Sequence, residues 1–98
     1  FVFMELRRKG LAIEYYRTEN GLEVDFIATD HRDAQTLYQA SLELRDEQTR
    51  KREVRALTTA MQETGIKAAT IVTLDTEEQI ETEAGVIDVV PAWLWALQ

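Results

Sequence analysis

The pair Asn20-Gly21 constrains this chain more than any other feature. An Asn-Gly step between two β-rich runs is the strongest short-range hairpin signal, because both positions tolerate positive φ. The flanking runs, LAIEYYR and LEVDFIAT, predict strands over 11–18 and 22–29. A two-residue loop would pair Glu19 with Leu22, and therefore Tyr16 with Asp25 and Arg17 with Val24. The polar run Asp30-His31-Arg32-Asp33 then turns the chain into a third strand over 35–43, completing an antiparallel meander. Asp46 is a fitting N-cap and Gly65 a fitting stop for a helix over 47–64, whose inward stripe is Val54, Leu57, Ala60 and Met61. The apolar run 68–74 reads as a strand buried on both faces. Strand, long helix, buried strand predicts a right-handed crossover to a parallel neighbour. Ahead of the meander, residues 1–9 form a helix with Val2, Phe3 and Leu6 on one stripe and Arg7-Arg8-Lys9 before Gly10. Behind the crossover come a hairpin of 79–83 and 86–90 around Ala84-Gly85 and a short helix opened by Pro91. The order is α-β-β-β-α-β plus a hairpin and a short helix, an α/β domain on a mixed sheet. Val54, Leu57, Ile71 and Phe26 are its expected core.

Length and composition narrow the function classes. Ninety-eight residues make one domain. The expectation is a single unit over 1–98, cut from a longer chain, since both ends are apolar where free ends are usually polar. With no cysteine and a single histidine, His31 in a polar turn, cysteine-ligated metals, thiolate nucleophiles and multi-histidine sites are excluded. No apolar run approaches the ~18 residues of a membrane span, and no signal peptide is visible, so the chain reads as cytoplasmic. The net charge is −7, and residues 75–98 carry six acids and no base. Nonspecific nucleic-acid grip normally needs a basic surface. The clusters Arg7-Arg8-Lys9 and Arg50-Lys51-Arg52 with Arg55 read instead as solvated helix faces. Neither a phosphate-binding P-loop nor a dinucleotide-binding glycine pattern occurs in the chain.

One residue stands out chemically. Asp25 lies mid-strand between Val24 and Phe26, where a carboxylate needs partners or water. If the second hairpin has a three-residue loop, His31 to Asp33, paired positions sum to 64 and Asp25 faces Gln39. Strict alternation then puts Glu23, Asp25, Gln39 and Ser41 on one face. Glu5 on the first helix is a possible further donor. Oxygen donors converging on one patch suit Mg²⁺ or Mn²⁺, which would activate water at a phosphodiester. The competing reading is structural: Glu23 faces solvent, Gln39 bonds to backbone, and Glu5 pairs with Arg8 or Lys9. Trp93 and Trp95 read as one tryptophan capping the core and one exposed.

Six runs carry a family resemblance: F-x-E-L-R-R-x-G from Phe3, Y-Y-R-T-x-N-G-x-E-V-D-F from Tyr15, L-x-Q-A-S from Leu37, T-x-x-R-E-x-x-A-L from Thr49, I-V-T-L-D from Ile71 and V-x-P-A-W-x-W from Val89. In this order they resemble the C-terminal domain of unknown function of bacterial and archaeal AAA-type ATPases. That domain is similar in fold to the restriction-endonuclease-like, PD-(D/E)xK nucleases. The resemblance implies a P-loop ATPase domain in the same chain. It implies Glu5 as the helical acid, Asp25 as the second-strand aspartate and Gln39-Ala40-Ser41 in place of (D/E)-x-K. Glutamine brings no charge, and Ser41 cannot act as the cation. Arg17 and Arg45 are poorly placed to replace it, and Arg52 with Glu53 read as a helix-surface pair. The expectation is therefore a catalytically degenerate accessory module. Its partners would be the rest of the ATPase chain and nucleic acid or protein, with a homo-oligomer possible and no membrane. The alternative is a Mg²⁺- or Mn²⁺-dependent nuclease using Glu5, Asp25 and Gln39.

Overall fold

The sheet is built on the buried crossover. In the computed structural model, which describes residues 1–98, helix α2 (Glu47–Thr64) links strand β3 (Gln35–Ala40) to β4 (Ala68–Thr73), and the two strands are parallel neighbours. The capping residues explain the helix bounds. The Asp46 carboxylate accepts the Thr49 N–H at 3.2 Å, and Gly65 adopts φ 79°, a left-handed stop that glycine takes without strain. The remaining elements are α1 (Val2–Arg8), β1 (Ala12–Arg17), β2 (Glu23–Thr29), β5 (Glu78–Thr82), β6 (Gly85–Pro91) and α3 (Ala92–Leu97). The six-stranded mixed sheet runs β1-β2-β3-β4-β6-β5. Its parallel centre is flanked by antiparallel hairpins at both edges.

Two separate cores lie on the two faces, which makes three layers. On one face Leu57, Ala60 and Met61 of α2 pack on Ile27, Leu37, Ile71, Ile87 and Val89. On the other, Val2 and Leu6 of α1 and Trp95 of α3 pack on Ala28 and Val72. Strand β4 contributes to both cores, as its continuous apolar run requires. Leu57 and Ile71 are fully buried, whereas Val54 and Phe26 are half-buried at the edges of their cores. Trp95 is buried and Trp93 is 64% exposed. Lys9 secures α3: its ammonium lies 5.1 Å from the centre of the Trp95 ring and donates to the Gln98 carbonyl at 2.8 Å.

Three boundaries differ from the sequence reading. Strand β3 stops at Ala40, so Ser41 lies beyond it and Leu42 and Glu43 are already in a turn. The last hairpin loops through Glu83-Ala84, and Gly85 pairs with Thr82 as the first residue of β6. A Cβ at Gly85 would lie 2.3 Å from the Lys67 carbonyl oxygen, so this crossing of strand ends admits only glycine. The Asn20-Gly21 loop contains three residues. Thr18 N–H donates to Leu22 across Glu19-Asn20-Gly21, with Gly21 at φ 85°. This loop shifts the nearby register by one, so that Arg17 pairs with Glu23 and Tyr16 with Val24. Farther along, Glu14 pairs with Ile27, as a two-residue loop would have placed it.

Leu57 has a full complement of core neighbours and no exposure. Leu57→Ala will lower stability by about 2–5 kcal/mol in urea unfolding. A loss below ~0.5 kcal/mol would mean that α2 does not anchor this core.

Candidate functional site

The two registers of the first hairpin are reconciled by a bulge. Between the Glu14–Ile27 and Tyr16–Val24 pairs, Tyr15 alone on β1 opposes two residues on β2, Asp25 and Phe26. A bulge bends the strand and re-aims its side chains, and bulges gather next to functional sites. Its effect here is visible in the packing. Val24 and Ile27, three residues apart, enter the same core facing α2, while Phe26 packs on Phe3 and Tyr15 with ring centres 5.7 Å away in each case. The expected single face for Glu23, Asp25, Gln39 and Ser41 is therefore broken. Glu23 turns to Arg17 in an exposed ion pair of 2.6 Å, and buried Ser41 donates its backbone N–H to the Val72 carbonyl at 2.9 Å.

The second hairpin follows the sequence reading. Its pairs sum to 64 from Thr29–Gln35 to Phe26–Tyr38, closed by a loop over His31 to Asp33. Beyond Phe26–Tyr38 the backbone ladder yields to side chains. The Gln39 amide oxygen accepts the Asp25 N–H at 2.7 Å, and its amide nitrogen donates to the Glu23 carbonyl at 3.2 Å. Asp25 in turn accepts the Ala40 N–H on Oδ2 at 2.9 Å. Gln39, 4% exposed, thus spends both ends of its amide on the β2 backbone. Asp25 and Gln39 converge as expected, and they do so as a clamp across a splayed strand pair.

Glu5 lies elsewhere. Its carboxylate is held by the Arg8 guanidinium, with the shortest contact 2.7 Å, and that bond keeps its carboxyl below the usual range. It lines none of the three grooves that Asp25 borders. Arg45 is paired with Asp75 at 2.8 Å. Neither Arg17 nor Arg45 is a free cation. Nowhere do three or more His, Cys, Asp or Glu residues gather so as to hold a metal ion. Mg²⁺ and Mn²⁺ want several hard, charged oxygens. Glu23, Asp25 and Glu53 all line the groove over Gln39, but Glu23 is paired with Arg17, Glu53 with Arg52, and the Gln39 amide oxygen already holds an N–H, which is a poor fit to them.

Two of the three grooves reach from Asp25 to other layers of the fold. The polar one, about 380 Å³, brings Arg52 and Glu53 of α2 to Asp25 and Gln39. The two helix residues do pair, at 3.6 Å, but the Glu53 side chain is only 13% exposed. They face the clamp, which the helical pairing rule alone misses; the signal is their place in the T-x-x-R-E run. The apolar groove, about 420 Å³, opens where β3 and β4 end, with Phe1 and Phe3 at the start of α1 on its rim. Nine of its eleven lining residues are apolar, and Asp25 is the one charge. A second anchor lies across β1 and α2. Glu63 accepts the Tyr16 hydroxyl at 2.6 Å and the Glu19 N–H at 3.0 Å, tying the Asn20-Gly21 loop to the helix.

Residues 1–95 match the model of a family described as a domain of unknown function, DUF4143. The chain belongs to that family. No curated protein matches it. The match runs from α1 into α3 and includes β2 and β3, which form the clamp of this DUF4143 domain. No helix of the domain is long and apolar enough to cross a membrane.

Two outcomes test this geometry. Gln39→Glu would restore the acid of the nuclease pattern, but it removes the donor to Glu23 and sets a carboxylate against a carbonyl. It will destabilise the domain by about 1–3 kcal/mol at pH 7 in urea. The new carboxyl will have a raised folded pKa, so the loss will shrink as pH falls toward 4; an unchanged midpoint at pH 7 refutes the clamp. The Glu63 hydrogen bond pushes the Tyr16 phenol up to about 12. A raised pKa favours the protonated form in the fold, so its contribution is complete below the ordinary value of about 10 and is lost between there and about 12. An alkaline absorbance titration will show a phenol step near pH 12 that Tyr16→Phe removes.

Proposed function

We propose that this domain is the catalytically degenerate, nuclease-like accessory module of an AAA-type ATPase chain, and that it works by recognising a protein partner. The observation that carries this reading is the Gln39 amide, with both ends spent on the β2 backbone where a nuclease of this pattern needs a charged metal ligand. The element order, a helix, an antiparallel meander, a helix and a parallel strand, supports the restriction-endonuclease-like reading of the scaffold. That Glu5 is engaged by Arg8 and that Ser41 supplies no cation supports the degenerate reading. A net charge of −7 speaks for a protein partner over a phosphate backbone.

A phosphodiester-hydrolysis assay with Mn²⁺ or Mg²⁺ on duplex and single-stranded DNA tests it. The chain will show no cleavage above background, and Asp25→Ala will leave that background unchanged. Metal-dependent cleavage abolished by Asp25→Ala would restore the nuclease. A mobility-shift assay at moderate salt will show no retention of DNA.

A further inference from the structure

If the domain recognises a protein partner, as proposed, the apolar groove carries both the recognising surface and the chemistry of that partner. Phe1, Leu42 and Leu74, on its rim, are 66%, 71% and 63% exposed, and Phe3 beside them is 37% exposed. Scattered exposed apolar side chains are ordinary, but a contiguous set around one groove marks an interaction site. Asp25 sits among them as the only charge. Its Oδ2 is held by the Ala40 N–H, while Oδ1 accepts no hydrogen bond within the chain. Asp25 itself is in none of the ion pairs of the domain, although Arg17 with Glu23 and Arg52 with Glu53 line the other grooves it borders.

On the apolar-groove side the half-buried Asp25 is the one charged anchor, and a cation or donor arriving there would meet a carboxylate with an open oxygen. We infer that this groove binds an amphipathic segment of a partner protein, whose apolar side chains fill the space between α1 and the ends of β3 and β4 and whose single Arg or Lys meets Asp25 Oδ1. Charge complementarity selects this occupant. A second copy of the chain presenting the same groove would bring two Asp25 carboxylates together. An anionic lipid surface or a nucleic acid would bring phosphate to a carboxylate on a chain of net charge −7.

The probe is a set of three helical peptides with apolar residues at i, i+4 and i+7, differing in one intervening residue: Arg, Gln or Glu. Binding to the isotope-labelled chain is followed by amide shifts and calorimetry. The Arg peptide will bind tightest, with shifts confined to the groove, and the Glu peptide will bind at least about tenfold more weakly. Asp25→Asn keeps an oxygen for the Ala40 N–H and will bind all three alike. Leu74→Asp, at an exposed position, will weaken all three by about tenfold or more. Equal affinity of the Arg and Glu peptides for the unaltered chain overturns the inference, as do shifts outside the groove. Retention on phosphatidylserine vesicles that Leu74→Asp abolishes would point to a lipid surface, and Leu74-dependent self-association in sedimentation to a second copy; either overturns it too. Metal-dependent DNA cleavage would overturn the non-catalytic reading and leave the peptide result standing, so the two failures are distinguishable.

Discussion

Asp25 and Phe26 on β2 span the distance that Tyr15 alone spans on β1, and the clamp between β2 and β3 depends on that mismatch. Its origin is the three-residue loop over Glu19-Asn20-Gly21, which closes the hairpin one residue out of step with the far half of β1. An antiparallel ladder tolerates such an error only by inserting a residue. The inserted residue frees β2 from strict alternation, so Val24 enters one core while Phe26 packs against the other. It also pulls the start of β2 away from the end of β3. Backbone groups opened by that splay cannot be left unpaired inside the protein. The side chains of Gln39 and Asp25 satisfy them, and both residues are therefore committed before any ligand arrives.

The surroundings of the clamp are rigid for independent reasons. Glu63 ties the loop that sets the register to α2, so the mismatch cannot relax by slipping the hairpin. At the other end of the helix Arg50 grips Glu78 of β5 through two bonds of 2.7 and 2.6 Å, joining α2 to the far edge of the sheet. A bidentate guanidinium–carboxylate pair fixes orientation as well as distance. The helix that covers Gln39 is thus held at both ends. The groove on the opposite face has no such cover, since α1 and α3 leave the ends of β3 and β4 open between them.

The crossover and the second hairpin are legible in the sequence because each is set by local chemistry. Asp46 and Gly65 mark α2 to the residue, and the Asp30 loop fixes the sum of 64 that brings Asp25 to Gln39. The first hairpin departs from expectation because an Asn-Gly pair serves a two-residue loop and a three-residue loop ending in left-handed glycine equally well. Choosing between them requires Thr18, whose hydroxyl accepts the Leu22 N–H at 2.9 Å and stabilises the longer loop. That one-residue difference is enough to turn Glu23 to Arg17 and Val24 into the core, because side-chain direction follows register with period two. Glu5 departs for another reason. Helical spacing shows equally an acid on a helix and its neighbour Arg8, and only the packing of α1 decides which contact is made.

There is a physical reason for the scaffold to hold an amide at position 39. The site is 4% exposed and must accept from one backbone N–H while donating to one backbone carbonyl. A carboxylate supplies only acceptors, so it would satisfy Asp25 and repel the Glu23 carbonyl while bearing a charge in a nearly dry place. A metal could repay that, but only with further charged ligands, and Glu5, Glu23 and Glu53 are each paired with an arginine. Glutamine is the one side chain of this length and shape that meets both backbone demands at once. The clamp and the metal site are therefore alternatives for the same space: a chain that bulges β2 at Asp25 and bridges the gap with Gln39 gains a fixed, neutral edge to its sheet. That edge leaves Asp25 as the one charged residue lining the open groove.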